Sequence, residues 1–259
     1  MGDWNTLHHF DDKKFYSKIV TDFRRNGQLI REYFNSDLGK YIAYGNDKND
    51  ERIAEILKFS QHLDEDFKSH KTLYNIQTRK KGTSEEYSVF IKKRYQDEED
   101  FQKANGQIIE DINLILTLMI FSECAAFNPH LILGRTIFTG CVSANPNSVA
   151  GEIISNFTDS NLGSIFYSSR SNCTGLINLV TNEDLKLLWL EKGNLYSTNE
   201  DTKKYFTDFC KFIEIAIENN LGVISCTNIN ESILKMIKSP LSLKIDTKEL
   251  GLESVINYE

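Results

Sequence analysis

Glu123 closes the most apolar run of the chain, Leu114 to Phe121. A carboxylate in such a setting either finds a cation or takes up a proton. Arg135 and Arg170 are cations offered nearby in sequence. Together with His130 and Glu123 they outline a pocket in the Gly-, Ser-, Asn- and Thr-rich stretch 130–180, where loops on a rigid scaffold would hold an enzyme or small-molecule site. The densest metal-capable group is Asp3, Trp4, His8, His9, Asp11 and Asp12. Adjacent histidines point to opposite faces of a strand and diverge by about 100° on a helix, so neither geometry chelates one ion. The segment reads instead as a Trp anchor followed by a capping Asp. His62 and His70 would lie about 12 Å apart along a helix, too far for a shared metal. No metal and no cofactor is expected.

The familiar catalytic signatures are missing. Gly134 to Gly140 has the wrong glycine spacing for a phosphate loop and no Lys-Ser/Thr after it, and G-x-G-x-x-G, G-x-S-x-G and H-E-x-x-H do not occur. The five cysteines, Cys124, Cys141, Cys173, Cys210 and Cys226, form no C-x-x-C pair, which excludes a disulfide framework and a zinc knuckle. The basic triplets Arg79-Lys80-Lys81 and Lys92-Lys93-Arg94 are offset by Glu85, Glu86 and the run Asp97 to Asp100, so they read as solvated surface.

The elements that must position these residues are mostly helical in pattern. Asp11 or Asp12 opens a helix with the stripe Phe15, Ile19, Phe23, ending near Gly27. Leu29, Ile30, Tyr33 and Phe34 continue in a second helix that stops before Gly39, and Ile53, Ile56, Leu57, Leu63 and Phe67 mark a third. The stretch 84–103 reads as a charged helix. A core helix is expected over 108–127, apolar nearly all round but too short between its flanking carboxylates to span a membrane. After Pro129, short strands or irregular segments are expected through 130–180. Thr181 or Asn182 caps a helix through Leu185, Leu188 and Trp189. A longer helix carries Tyr205, Phe206, Phe209, Phe212, Ile213, Ala216 and Ile217, followed by a short strand near 222–226 and a last helix from Asn230 to Ile237. The fold class expected is mainly α, a single multi-helix domain over 1–259 around the central helix at 108–127.

Charge divides that domain in two. Residues 1–104 hold 19 Lys/Arg against 19 Asp/Glu, and residues 105–259 hold 11 against 18, so the whole net charge of −7 lies in the second part. An acidic excess repels phosphate backbones and disfavours nucleic acid as a partner. The opening Met-Gly-Asp-Trp-Asn lacks a basic segment followed by an apolar one, so the expectation is a protein of the reducing cytoplasm.

The opening segment Gly2 to Asp12 and the segment Tyr205 to Ser225 resemble stretches of bacterial immunity proteins that accompany polymorphic toxins, including those of contact-dependent growth inhibition. The resemblance implies a cytoplasmic binder that covers a cognate toxin domain and has no active site of its own. An acidic surface would speed its encounter with a basic toxin. Glu183, Asp184, Glu191, Glu200, Asp201 and Asp208 are the acidic residues expected to face that partner.

Overall fold

The computed structural model describes residues 4–42, 49–60, 108, 111, 115–134, 142–157, 177–198, 200–227 and most of 237–256. The expected helix at 84–103, all but Ile237 of the last helix at 230–237, and the positions Leu63, Phe67, Arg135 and Arg170 lie outside the described residues.

At its centre is strand β1 (Trp4–Phe10), which has neighbours on both sides. It pairs antiparallel with β2 (Ala125–Gly134) and with β6 (Gly222–Thr227). β4 (Ile177–Val180) adds to β6, and the two-residue β7 (Val255–Ile256) adds to β2, giving the order β4-β6-β1-β2-β7. A second, two-stranded sheet joins β3 (Ser143–Ala144) to β5 (Leu195–Tyr196).

Helices cover both faces of the larger sheet. One layer contains α1 (12–24, with Phe15–Val20 wound as a π-helix), α2 (Gln28–Asn35), α3 (Asp37–Ile42), α4 (Asn49–Ser60) and α5 (115–123). Phe15, Ile19, Phe23, Ile30, Phe34, Ile53 and Ile56 pack with Phe121 against Phe10, Leu179, Ile224 and Cys226 of the sheet. The other layer contains α6 (Val149–Asn156), α7 (Asn182–Leu190) and α8 (Lys203–Glu218). Leu185, Leu188, Phe209, Phe212, Ile213 and Ala216 meet Leu7, Leu131, Val180 and Val223 there. Neighbouring residues on β1 therefore belong to different cores, as the two-residue period of a strand requires.

This architecture corrects the expectation of a mainly α fold. The chain is α+β, with a five-stranded antiparallel sheet between two helical layers. A strand with water on one face alternates apolar and polar residues, but one buried on both faces does not. Trp4–Phe10 shows no such alternation, and residues 6–10 are all buried. The central helix is also shorter than expected. It stops at 123, with the Cys124 N–H donating to Ile120 O (2.9 Å), and Ala125–Phe127 continue in β2. The apolar run crosses from helix to strand unbroken, and apolarity alone does not separate the two. Leu131, Ile132 and Leu133 are accordingly part of a ten-residue strand rather than a short irregular piece.

Caps and ion pairs join the layers. Asp11 caps α1 by accepting from Lys14 N (2.9 Å). The buried Asp12 carboxylate accepts from Asn182 N (2.7 Å), tying the start of α1 to the first turn of α7, where a negative charge is favoured. Thr181 and Asp184 form a capping box on the same turn. Arg52 of α4 grips Asp111 through two hydrogen bonds and lies over the Phe34 ring at 4.9 Å.

Gly222 enters β6 where Phe10 and β4 close in. A Cβ there would sit 2.5 Å from Phe10 Cε1 and 2.6 Å from the Val180 carbonyl oxygen. Overpacking of this kind costs about 1–3 kcal/mol. Gly222→Ala is expected to lower the unfolding free energy by that amount, read as a lower urea midpoint with an unchanged m-value, and a wild-type midpoint would show that this strand junction yields freely.

Candidate functional site

Three groups of polar side chains come together in the fold, and their surroundings decide what each can do. The first is inside the sheet. His8 and His130 are cross-strand partners on β1 and β2, fully buried, with ring centroids 5.1 Å apart. Between His8 and Phe10 the pairing advances two residues along β1 and five along β2. Pro129, which has no N–H to give a ladder, sits in that excursion. The bulge turns the Ala126 and Phe127 carbonyls towards His8 Nδ1 (3.2 and 3.1 Å). A carbonyl only accepts, so Nδ1 bears the hydrogen, and Nε2 accepts from Thr6 Oγ1 (2.8 Å). His130 Nδ1–H donates to the same Phe127 carbonyl (3.0 Å) and to Asn128 Oδ1 (3.2 Å).

His9 points to the opposite face. Its Nε2–H donates to the Phe212 carbonyl of α8 (2.9 Å), and its ring stacks on Phe212 at 3.8 Å. Burial holds His8 well below the usual imidazole range, with His130 adding to the effect, and burial brings His9 down to about 4. Two charges about 5 Å apart repel by about 3 kcal/mol at an effective dielectric near 20. His8 and His9 are therefore held in the neutral form inside the sheet.

The second group is at the rim of the first helical layer. Glu123 accepts from Lys18 and from the Tyr33 hydroxyl (2.8 Å), with Lys14 Nζ 3.7 Å away. Burial pushes the carboxyl up, but the Lys18 ammonium, the Tyr33 hydroxyl and Lys14 outweigh it and hold Glu123 below the ordinary value. Tyr33 is raised, first by burial and then by the carboxylate it donates to. Glu123 thus has Lys14 and Lys18 where the sequence suggested Arg135 or Arg170. His130, for its part, meets His8, Phe127 and Asn128. Burial also raises the thiols of Cys124 to about 12 and Cys210 to about 11, so neither is a thiolate at neutral pH. Among the described residues no group of three or more His, Cys, Asp or Glu could hold a metal ion.

The third group is on the outer surface. Four of the five exposed large apolar side chains among the described residues are Val149, Leu187, Leu190 and Tyr196, the fifth being Leu250. Leu187 and Leu190 are three apart on α7 and share a face, and Leu190 is 82 % exposed. Val149 opens α6, whose Ala150 N–H donates to Glu191 (3.1 Å), so it lies beside the end of α7. Tyr196 follows on β5, and Lys192 covers the Trp189 ring at 4.8 Å. Sequence reasoning took the acidic residues here and passed over the apolar ones. The available signal was that Leu187 and Leu190 fall off the Leu185–Leu188 stripe.

The acidic candidates divide on exposure. Glu183, Glu200 and Asp201 are exposed. Asp184 is half-buried in the capping box, and Glu191 is half-buried against Ala150 N and Asn194 Nδ2. Asp208 is not a surface residue. It is buried on α8 and accepts from Ser254 N (2.8 Å), holding the segment that leads into β7. Its helical position placed it among charged neighbours, but that face of α8 turns inward. Comparison with protein families, curated proteins and solved structures finds no match for this chain.

Two outcomes test these assignments. Unfolded His9 titrates near 6.5 and folded His9 near 4, so between these values the unfolded chain binds the extra proton. His9 should contribute a loss of about 3 kcal/mol as pH falls across that window, read as a His9→Asn variant with a flatter pH profile of unfolding. Glu123 has the opposite sign, since its lowered value adds stability at neutral pH that disappears on acidification. Glu123→Gln should cost about 1 kcal/mol at pH 7 and nothing at pH 2, by urea titration at both.

Proposed function

We propose that this protein is an immunity protein of the cytoplasm, which neutralises a cognate toxin domain by covering its surface. The observation that carries the reading is the exposed apolar group Val149, Leu187, Leu190 and Tyr196 beside the acidic Glu183, with Glu200 and Asp201 following within six residues of Tyr196. Large exposed apolar side chains with a charged rim are the anatomy of a protein interface, in which a few buried anchors dominate affinity. The net charge of −7 favours a basic partner, and the carboxylates would speed encounter rather than supply most of the affinity. The polar clusters of the interior are engaged in holding the layers together, which suits a rigid scaffold presenting one face. Among the described residues no helix is long and apolar enough to cross a membrane.

Co-expression with the product of a toxin-like gene next to this one tests the reading. Protection of the cell and co-purification of the two chains are expected. A toxic neighbour that is neither bound nor neutralised overturns it. The double variant Leu187→Asp, Leu190→Asp should lose protection at least tenfold while its thermal midpoint stays within the small range usual for surface substitutions. Glu183→Lys should chiefly slow association, seen as a weaker salt dependence of the on-rate.

A further inference from the structure

The exposed apolar side chains of the outer face come from three separate segments, Val149 from α6, Leu187 and Leu190 from α7, and Tyr196 from β5. Segments that shift against one another must be ordered on binding, at a cost in affinity that a preset surface avoids. Glu191 meets all three. Its backbone N–H ends α7 by donating to the Leu188 and Trp189 carbonyls. Its carbonyl accepts from Asn194 N (2.8 Å), closing the turn that leads into β5. Its Oε2 accepts from Ala150 N at the start of α6 (3.1 Å) and from Asn194 Nδ2 (3.3 Å). On the reading of this face as the toxin-binding surface, we propose that Glu191 is its positioning residue. The carboxylate locks α6, α7 and β5 into one surface by its reach and does not meet the partner by its charge.

The start of α6 has a use for a carboxylate from another element. The first N–H groups of a helix have no partner within it. Ser148 Oγ accepts from Gly151 N (3.0 Å) and donates to the Asn145 carbonyl (2.7 Å). Ala150 N–H goes to Glu191 instead, where the positive end of the helix dipole also favours a negative charge. The turn before the helix lies close against it, since a Cβ on Gly151 would come within 2.1 Å of the Asn145 carbonyl oxygen.

Strand pairing completes a circuit. β3 leads through that turn into α6, and Glu191 joins α6 to the end of α7. The 192–194 turn leads on to β5, which pairs back on β3 through Ser143↔Tyr196 and Ala144↔Leu195. Beneath the circuit Ala150, Ile153, Leu188 and Leu195 are buried in one core. Apolar contact of that kind is not directional, so the Glu191 bonds supply the orientation of α6 against α7.

Reach and charge are separable at this position. Glu191→Gln keeps the length and an oxygen for Ala150 N–H and loses the charge. Glu191→Asp keeps the charge and is one methylene shorter. Amide hydrogen exchange of the full chain at Ala150 reads the lock without any partner. The Asp variant should exchange there about tenfold faster, and the Gln variant within about twofold of wild type. The Phe212 and Ile213 amides of α8 should be unchanged in both, as the sign of an intact fold. Protection against the product of the neighbouring toxin-like gene should follow the same order, falling about tenfold for Asp and holding for Gln. The reverse order, with Asp protecting and Gln failing, places the charge of Glu191 on the partner and overturns the proposal. Exchange at Ala150 that Asp leaves unchanged overturns it too. Should the Asp variant not fold, Gln alone decides: wild-type exchange and protection uphold the role of reach, and a tenfold loss of either overturns it. A wild-type chain that neither binds nor protects sinks the immunity reading, and the exchange comparison then decides by itself whether Glu191 joins the three segments.

Discussion

Burial of β1 on both faces is the constraint from which the rest of the structure follows. A strand in that position has no solvent side, so its polar side chains must find partners inside the protein or destabilise it. Thr6 and His8 satisfy each other and the bulge in β2, and His9 reaches the backbone of α8. The bulge is thus more than an irregularity of pairing. It delivers the carbonyls that allow an imidazole to occupy a core position, and Pro129 is tolerated there because the ladder is already interrupted.

The same logic accounts for the buried and half-buried carboxylates. Asp12, Asp111, Glu123 and Asp208 each connect one element to another, by a helix N-terminus, an arginine, two lysines or a backbone N–H. Burying a carboxylate is costly unless it is paired, and pairing fixes the layers relative to the sheet. On the outer face of α6, α7 and β5, by contrast, Val149, Leu187, Leu190 and Tyr196 stay exposed.

Legibility in the sequence followed the range of the interaction that produced each feature. The stripe Phe15, Ile19, Phe23 and the later one through Phe209, Phe212, Ile213 and Ala216 are helical because of spacing within a single segment, and both are buried in the structure. The caps at Asp11 and Thr181 were readable for the same reason, since a cap bonds residues two or three positions away. The central helix was overextended because Ala125, Ala126 and Phe127 prolong an apolar run whose change from helix to strand depends on pairing with residues more than a hundred positions earlier. Asp208 was misassigned because helix position alone does not say which neighbour lies across the interface.

By itself the sequence determined the helices at 12–24, 182–190 and 203–218, the caps of the first two, and the acidic balance of the second half. Those properties are local or additive. Tertiary structure decided that Trp4–Phe10 is the central strand, that His8 and His130 meet, and that Glu123 pairs with Lys14 and Lys18. It also decided that Leu187 and Leu190 rather than Asp208 face the solvent. Each of these rests on contacts between distant segments, and a strand buried on both faces carries no alternation of polarity by which a single sequence would reveal it.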